Sequence, residues 1–280
     1  MSKGIRFPAI PRSSGVPFIK MHGAGNDFVV IDSRGSRYNV QCELAVLMGD
    51  RHRGIGFDQL AELLDPQVTG VDLRLRFWNA DGSLAEACGN ATRCVASLLF
   101  DEDASNTRLK IETPRGILSA ERRQNQIWVD MGAPLFDWEE VPLARPLDTR
   151  ALPIAGEPDA VSIGNPHCVF FVEDADCVRL EQLGPLMEND ALFPAKTNVE
   201  FVSLVSENVL RMRVWERGTG ITLACGSGAC EAAVCAHNRG LTDHRTKLLV
   251  DGGQLEVDWT HESLWLTGPV SKVFSGMFFS

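Results

Sequence analysis

The chain has 280 residues, 44% of them hydrophobic and 23% charged, with a formal net charge of −10. That balance is the one found in soluble globular proteins of one large domain or two ordinary ones. It holds no apolar run of membrane-spanning length and offers no basic face to nucleic acid, so neither partner is expected, and a cytoplasmic location is.

Residues 1–16 carry Lys3, Arg6 and Arg12 and no acid. They lack the apolar core of a secretory signal and read as a flexible N-terminal tail. Beyond them, β-rich or alternating runs predict strands at 29–32, 74–78, 127–131, 169–172, 199–205, 211–215, 248–250 and 264–267. Helical spacing predicts helices over 41–51, 92–101 and 229–238, the last stopped by Gly240. A proline-rich stretch, 134–158, reads as the connection between an N-terminal module (17–132) and a C-terminal module (133–270), with 271–280 expected to complete the first. The fold class is α+β: two pseudo-symmetric modules, each a bent, mainly antiparallel sheet around a central helix, with the active site in the cleft between them.

The symmetry comes from an internal repeat. Ala87-Cys88-Gly89 and Ala224-Cys225-Gly226 lie 137 residues apart. At that same offset Arg74-Leu75-Arg76-Phe77-Trp78 matches Arg211-Met212-Arg213-Val214-Trp215, Gly116 matches Gly253 and Trp128 matches Trp265. Upstream, Gly25-Asn26 matches Gly164-Asn165 at 139. Several matches in one order at nearly one offset indicate duplication.

Eight cysteines do not require a disulfide framework in a chain of 280 residues. There is no Cys-x-x-Cys pair, so no structural metal is expected. Cys42, Cys94, Cys168, Cys177, Cys230 and Cys235 read as small buried apolar residues with free thiols. Cys88 and Cys225 differ because each stands at a predicted helix N-terminus. Unpaired N–H groups and the helix dipole there should lower a thiol pKa toward neutrality and attract a carboxylate. Gly89 and Gly226 let the backbone approach a ligand. A thiolate facing a thiol is a base facing an acid, a pair that can invert a stereocentre. Two helix N-termini would stabilise the carbanion formed on the way. Oxidation of the pair to a disulfide would be a route to inactivity.

At these motifs the sequence resembles the diaminopimelate epimerase family. The resemblance runs from Phe18 to the C-terminal strands. It rests on Lys20-Met21-His22-Gly23, Gly25-Asn26-Asp27-Phe28, Gly54-Ile55-Gly56-Phe57-Asp58-Gln59, Phe77-Trp78-Asn79-Ala80-Asp81-Gly82-Ser83 and the first cysteine motif with Asn90. In the second half it rests on Gly164-Asn165-Pro166-His167-Cys168, Thr197-Asn198-Val199-Glu200-Phe201, Glu216-Arg217-Gly218 and the second cysteine motif with Ser227-Gly228. It implies a cofactor-independent isomerase of lysine and peptidoglycan precursor biosynthesis that interconverts LL- and meso-diaminopimelate, with Cys88 and Cys225 as the catalytic acid and base. Asn79, Asn165, Asn198, Glu216 and Arg217 would hold the distal, non-reacting centre. Asn26, Gln59, Gly89, Asn90, Gly226 and Ser227 would surround the reacting one. Diaminopimelate is then the small-molecule partner and a homodimer the assembly considered, with no cofactor and no metal. His167 falls near the cleft, with a structural hydrogen-bonding role as plausible as a catalytic one. Ala91, Ser227 and Ile221 depart from the family's commoner glycine, threonine and glutamate. A second amino-acid racemase of this fold, such as a proline racemase, is the nearest alternative. A thiol redox or binding protein is more distant, since neither cysteine has a resolving partner nearby.

Overall fold

The computed structural model describes residues 15–85, 88–260 and 262–279. Its first half contains β1 (Gly15–Gly23), β2 (Asn26–Asp32), α1 (Cys42–Gly49), β3 (Gln59–Leu64), β4 (Leu73–Asn79), β5 (Leu84–Ala85), α2 (Gly89–Glu102), β6 (Arg108–Thr113), β7 (Gly116–Arg123) and β8 (Gln126–Asp130). The second half contains β9 (Asp159–Ser162), β10 (Pro166–Phe171), α3 (Leu180–Glu188), β11 (Asn198–Ser206), β12 (Val209–Glu216) and β13 (Gly220–Thr222). It continues with α4 (Gly226–Asn238), β14 (Arg245–Val250), β15 (Gly253–Trp259), β16 (Leu264–Thr267) and β17 (Ser271–Phe279).

The two halves pair strand for strand. In the first, β2 runs parallel to β3, β3 antiparallel to β4, β4 parallel to β6, and β6, β7 and β8 form a meander. In the second, β10, β11, β12, β14, β15 and β16 repeat that series. Register repeats as well: Phe28 lies opposite Gln59 as His167 lies opposite Asn198. The modules join where β8 pairs antiparallel with β16. β17 crosses back to pair with β1, so a strand from the end of the chain borders the first module.

Alternation builds the strands. In β4, Leu73, Leu75 and Phe77 are buried while Arg74 and Arg76 sit between them half-buried, and Leu210, Met212 and Val214 do the same in β12. The helices are the axis of each module. α2 touches β1, β2, β3, β7 and β8, and α4 touches β9, β10, β11, β15 and β16. Strands from both ends of a sheet can reach one helix only if the sheet curls around it. Small residues allow the close approach: Ala91, Ala96, Ala229, Ala232 and Ala233 all join a core cluster that runs through both modules. α4 stops at a Schellman turn, with Gly240 at φ +72°, its N–H on His237 O at 2.8 Å and the Leu241 N–H on Ala236 O at 2.9 Å.

Some expectations need correction. Gly15 and Val16 are not tail, because Phe279 and Phe278 of β17 pair with them. The rest of the expected tail, 1–14, lies outside the described residues, as do Ala87 of the first cysteine motif and Ser280. Both central helices start three residues earlier than the apolar spacing indicates, because each cysteine takes the N-cap. Cys42 and Cys177 are exposed rather than buried, Cys42 at the start of α1 and Cys177 in a short 3₁₀ turn. The 134–158 stretch is more than a connection, since Val141, Leu143 and Leu152 are buried with Phe170, Leu180, Phe193 and Phe201 in a separate cluster.

Helix α3 is absent from the helices that the sequence pattern predicts. It buries Leu180, Gly184 and Glu188 along one face. A Cβ on Gly184 would come within 2.5 Å of the Trp215 ring, whose indole N–H donates to Glu188 Oε2 at 2.7 Å. Glu188 Oε1 also accepts from the Gly218 N–H at 3.0 Å, so α3 braces the Glu216-Arg217 turn. Gly184→Val should therefore lower the urea midpoint by an amount equivalent to about 1–3 kcal/mol of overpacking strain. It should also weaken ligand binding at Glu216 and Arg217, both measurable on the purified variant.

Candidate active site

The two sulfurs occupy equivalent places. Cys88 is the N-cap of α2, extended at φ −149° and ψ 106°, and its Sγ accepts from the Ala91 N–H at 3.4 Å. Cys225 is the N-cap of α4 at φ −116° and ψ 118°, and its Sγ accepts from the Gly228 N–H at 3.4 Å. The helix starts meet: a Cβ on Gly89 or on Gly226 would lie 3.3 or 3.0 Å from the same Leu266 methyl. On Gly226 it would also lie 3.4 Å from Asn90 Oδ1.

Between them opens a cleft of about 300 Å³, within the range of small-molecule sites. Asn26, Gln59, Asn79, Cys88, Gly89, Asn165, Asn198, Glu216, Arg217, Cys225, Gly226 and Ser227 all line it. Asn90 alone of the predicted residues does not. It is buried one layer behind, where its Nδ2 donates to Asn26 Oδ1 at 3.2 Å. Asn26 Oδ1 also takes a long contact from the Cys88 thiol at 3.8 Å, and Asn26 Nδ2 donates to Asp58 Oδ2 at 2.8 Å. On the other side Asn198 Oδ1 accepts from the Arg217 N–H at 2.9 Å while its Nδ2 donates to Pro166 O at 3.0 Å. That fixes the Asn198 amide orientation. Ser227 Oγ lies 3.3 Å from Cys225 Sγ.

Charge in the cleft is not symmetric. Gln59 pairs across the strands with Asn79, whereas Val199 pairs with Trp215, which places Glu216 opposite Asn198. Glu216 therefore stands where the first module has Asn79. Burial pushes its carboxyl up to about 7, against the Thr222 hydroxyl that donates to it at 2.5 Å. Beneath Cys225, His167 Nδ1 is 2.6 Å from Glu200 Oε1 and His167 Nε2 is 2.9 Å from Glu231 Oε2, all three side chains fully buried. Burial lowers the affinity of His167 for a proton, but the two carboxylates outweigh it and push the imidazole up to about 10. Ligand atoms of His167, Glu200 and Cys225 come within 4.8 Å of one another. The 2.6 Å separation of the first two is that of a hydrogen bond, shorter than the spacing of two ligands on one zinc ion.

The expectation of near-neutral thiols is not met. Burial pushes Cys88 up to about 12, opposed by the Ala91 N–H and reinforced by Glu216. Cys225 is also raised well above the ordinary cysteine range, by burial first and then by Glu216 and Glu200. Each sulfur receives a long N–H contact from its helix, and in a dry site desolvation of the thiolate outweighs it.

Several lining residues were not named from sequence. Asp58 anchors Asn26, and its neighbour Asp27, which Arg51 and Lys20 hold down to about 2 despite burial, bonds back to the Asp58 N–H at 3.0 Å. Thr222 carries the hydroxyl on Glu216. Arg115, in the β6–β7 turn, crosses the cleft to Gly164, whose φ of +115° and lack of a Cβ leave room for the guanidinium. The signal for Arg115 was available, since it is the residue before the repeated Gly116.

With the geometry in view, the sequence profile described as diaminopimelate epimerase matches residues 18–136 and 159–273. The chain belongs to the diaminopimelate epimerase family. The unmatched 22 residues between those segments are the part of the connection that builds the separate cluster. A diaminopimelate epimerase of Acidiphilium cryptum (strain JF-5) is 47% identical over 266 residues, covering 93% of this chain and 95% of the relative. One from Sphingopyxis alaskensis is 47% identical over 264 residues, 92% of this chain and 96% of its own. The family is one of isomerases. Among solved structures, a PhzF-family phenazine biosynthesis protein of Bacillus anthracis superposes with a TM-score of 0.70 at 16% identity, covering 95% of this chain and 99% of its own. A hydroxyproline epimerase from Agrobacterium vitis, with trans-4-hydroxy-L-proline bound, gives 0.66 at 16% identity, covering 95% and 91%. At that identity these two show the shared two-module fold.

All eight cysteines are free thiols. Under native conditions a thiol-specific disulfide reagent should find two fast sites, Cys42 and Cys177. Cys88 and Cys225, which open onto the cleft, should react more slowly and the other four buried thiols only on unfolding, as mass-spectrometric mapping of the labelled peptides would show.

Proposed function

We propose that this chain epimerises one stereocentre of diaminopimelate, LL to meso, without a cofactor and by acid–base chemistry between Cys88 and Cys225. The observation that carries the reading is the pair of matched N-cap sulfurs opening onto one cleft with Glu216 and Arg217 at its far side. One sulfur, as thiolate, takes the α-proton from one face of the carbon, and the other, as thiol, returns a proton to the opposite face. The sulfurs then hold exchanged protonation states. The N–H groups of the two helix starts would receive the α-carboxylate and stabilise the carbanion as charge develops. Asn26, Gln59, Gly89, Asn90, Gly226 and Ser227 would enclose the reacting centre.

Glu216 and Arg217 select the substrate in this reading. Arg217 offers a fork to the distal carboxylate and Glu216 an acceptor to the distal ammonium, with Asn79, Asn165 and Asn198 fixing their orientation. Binding also answers the raised thiols. Glu216 raises both, so an ammonium that neutralises it brings both sulfurs closer to ionisation. Remote contacts thus supply energy at the reacting centre. Proline has no distal ammonium or carboxylate, so these two residues disfavour the proline-racemase reading that the hydroxyproline-epimerase fold would otherwise permit.

In deuterated water the protein should incorporate deuterium at one α-carbon of LL-diaminopimelate. Cys88→Ser and Cys225→Ser should each lose epimerisation by about 10²-fold or more, the scale of a lost general acid or base. Full turnover by either variant would sink the two-thiol mechanism, and turnover of proline instead of diaminopimelate would transfer the substrate assignment.

The pH dependence has a definite sign. Glu216 must be a carboxylate to hold an ammonium, and it takes up its proton as pH falls through about 7. KM should therefore rise below that pH. Thr222→Val removes a hydrogen bond that lowers the Glu216 pKa, so in this variant the rise should begin at higher pH. Steady-state profiles of both proteins from pH 6 to pH 9 would check it.

A further inference from the structure

The duplication allows each half of the site to be compared with its own counterpart, and the layer behind the two sulfurs does not match. Phe28, Ala61 and Cys94 lie on β2, β3 and α2 and belong to the hydrophobic core. At the repeat-related places on β10, β11 and α4 stand His167, Glu200 and Glu231. All six are fully buried. An apolar triple in one module has become a triple of ionisable groups in the other, and only Cys225 has the charged triple behind it. A Cβ on Gly228, the residue whose N–H contacts the Cys225 sulfur, would strike Glu200 Oε1 at 2.5 Å.

The helices are asymmetric in the opposite sense. Arg93 on α2 is fully buried, and its repeat counterpart on α4 is the neutral Cys230. Arg93 donates through Nη2 to Pro269 O at 3.4 Å, while its Nε and Nη1 have no hydrogen-bond partner among the described residues. Its guanidinium interacts favourably with ionised Cys88, Cys94 and Cys230. An arginine stays charged even when buried, so α2 carries a fixed cation toward Cys88. The charged triple holds two carboxylates for one imidazole, and Glu231 is anchored in it by the Ile163 N–H at 2.7 Å.

Other charges stand near the pair. Glu216 on β12 acts on both sulfurs, whereas Glu200 acts on Cys225. Arg115, which crosses the cleft, and Asp130 act on Cys230, and Asp159 and Arg239 act on Cys235.

We propose that Arg93 behind Cys88, set against Glu200 and Glu231 behind Cys225, makes Cys88 the resting base and Cys225 the resting acid of the thiol pair. Arg93 and Glu231 are positioning residues, since they set the proton's place through the sulfurs and line no part of the cleft. The charged triple keeps a net negative charge near Cys225 while Glu231 is ionised, that is, above about pH 7. This inference rests on the two-thiol reading. It implies that the stereoisomer presenting its α-proton to Cys88 meets an enzyme already in the right form, while the other isomer must wait for the proton to move.

The test reads each thiol directly, without turnover. Wild type, Glu231→Gln and Arg93→Gln are alkylated with iodoacetamide at about pH 8.5, above the Glu231 titration, and the Cys88 and Cys225 peptides are followed by mass spectrometry. Glutamine at 231 keeps an acceptor for the Ile163 N–H and removes the charge. It should speed Cys225 by about tenfold, one pKa unit, and change Cys88 by less than about twofold. Arg93→Gln should slow Cys88 by a similar factor and leave Cys225 as it was. Comparing each thiol with itself across variants cancels differences in access. Equal changes at both sulfurs in Glu231→Gln, or no change at Cys225, would overturn the proposal, and this variant decides even if Arg93→Gln does not fold. A wild type that labels as expected but exchanges no α-proton of diaminopimelate would sink the substrate reading and leave the charge asymmetry standing.

Discussion

Everything in this molecule follows from bringing two helix N-termini to one place. Backbone N–H groups are crowded there, so the residues beside each cap must be small, and Gly89 and Gly226 both abut Leu266. The helices must approach without bulky side chains, which accounts for the alanine-rich core of both. Each sheet must curl to cover a helix that is buried along most of its length. The N-cap position is where a side chain can both satisfy its own helix and face the cleft, and here that side chain is a thiol. The atom that caps the helix and the atom that faces the cleft are therefore the same sulfur.

The competition between burial and helix dipole shows why magnitudes matter. A helix start contributes on the order of 0.3–1 kcal/mol to an exposed charge. Burial of an unpaired thiolate costs more, and both thiols rise rather than fall. In the proposed reaction a ligand carrying two ammonium and two carboxylate groups would supply countercharge at Glu216 and at the helix starts.

The sequence carried the fold where the pattern was local or repeated. Alternation located β4 and β12, the duplicated cysteine motifs located α2 and α4, and the family resemblance named twelve residues that line the cleft. It failed where long-range contacts overrule propensity. α3 contains Gly184 and Pro185, which read as breakers, yet Trp215 needs the bare glycine face. β1 starts at Gly15 because its partner is Phe279, at the other end of the chain. The setting of His167 is not legible locally, because its two carboxylates come from β11 and α4. The exposure of Cys42 and Cys177 carried no local signal.

The pairing of β17 with β1 has a consequence for how the protein is made. During synthesis the first module emerges from the ribosome long before residues 271–279 exist, so β1 must wait with one edge open while the whole second module is translated. The nascent first half therefore exposes a row of unpaired backbone groups, the kind of edge that recruits foreign strands. That seam can close only once residues 271–279 have been made. It ties the start of the chain to its end and makes the completed first module dependent on a finished second one.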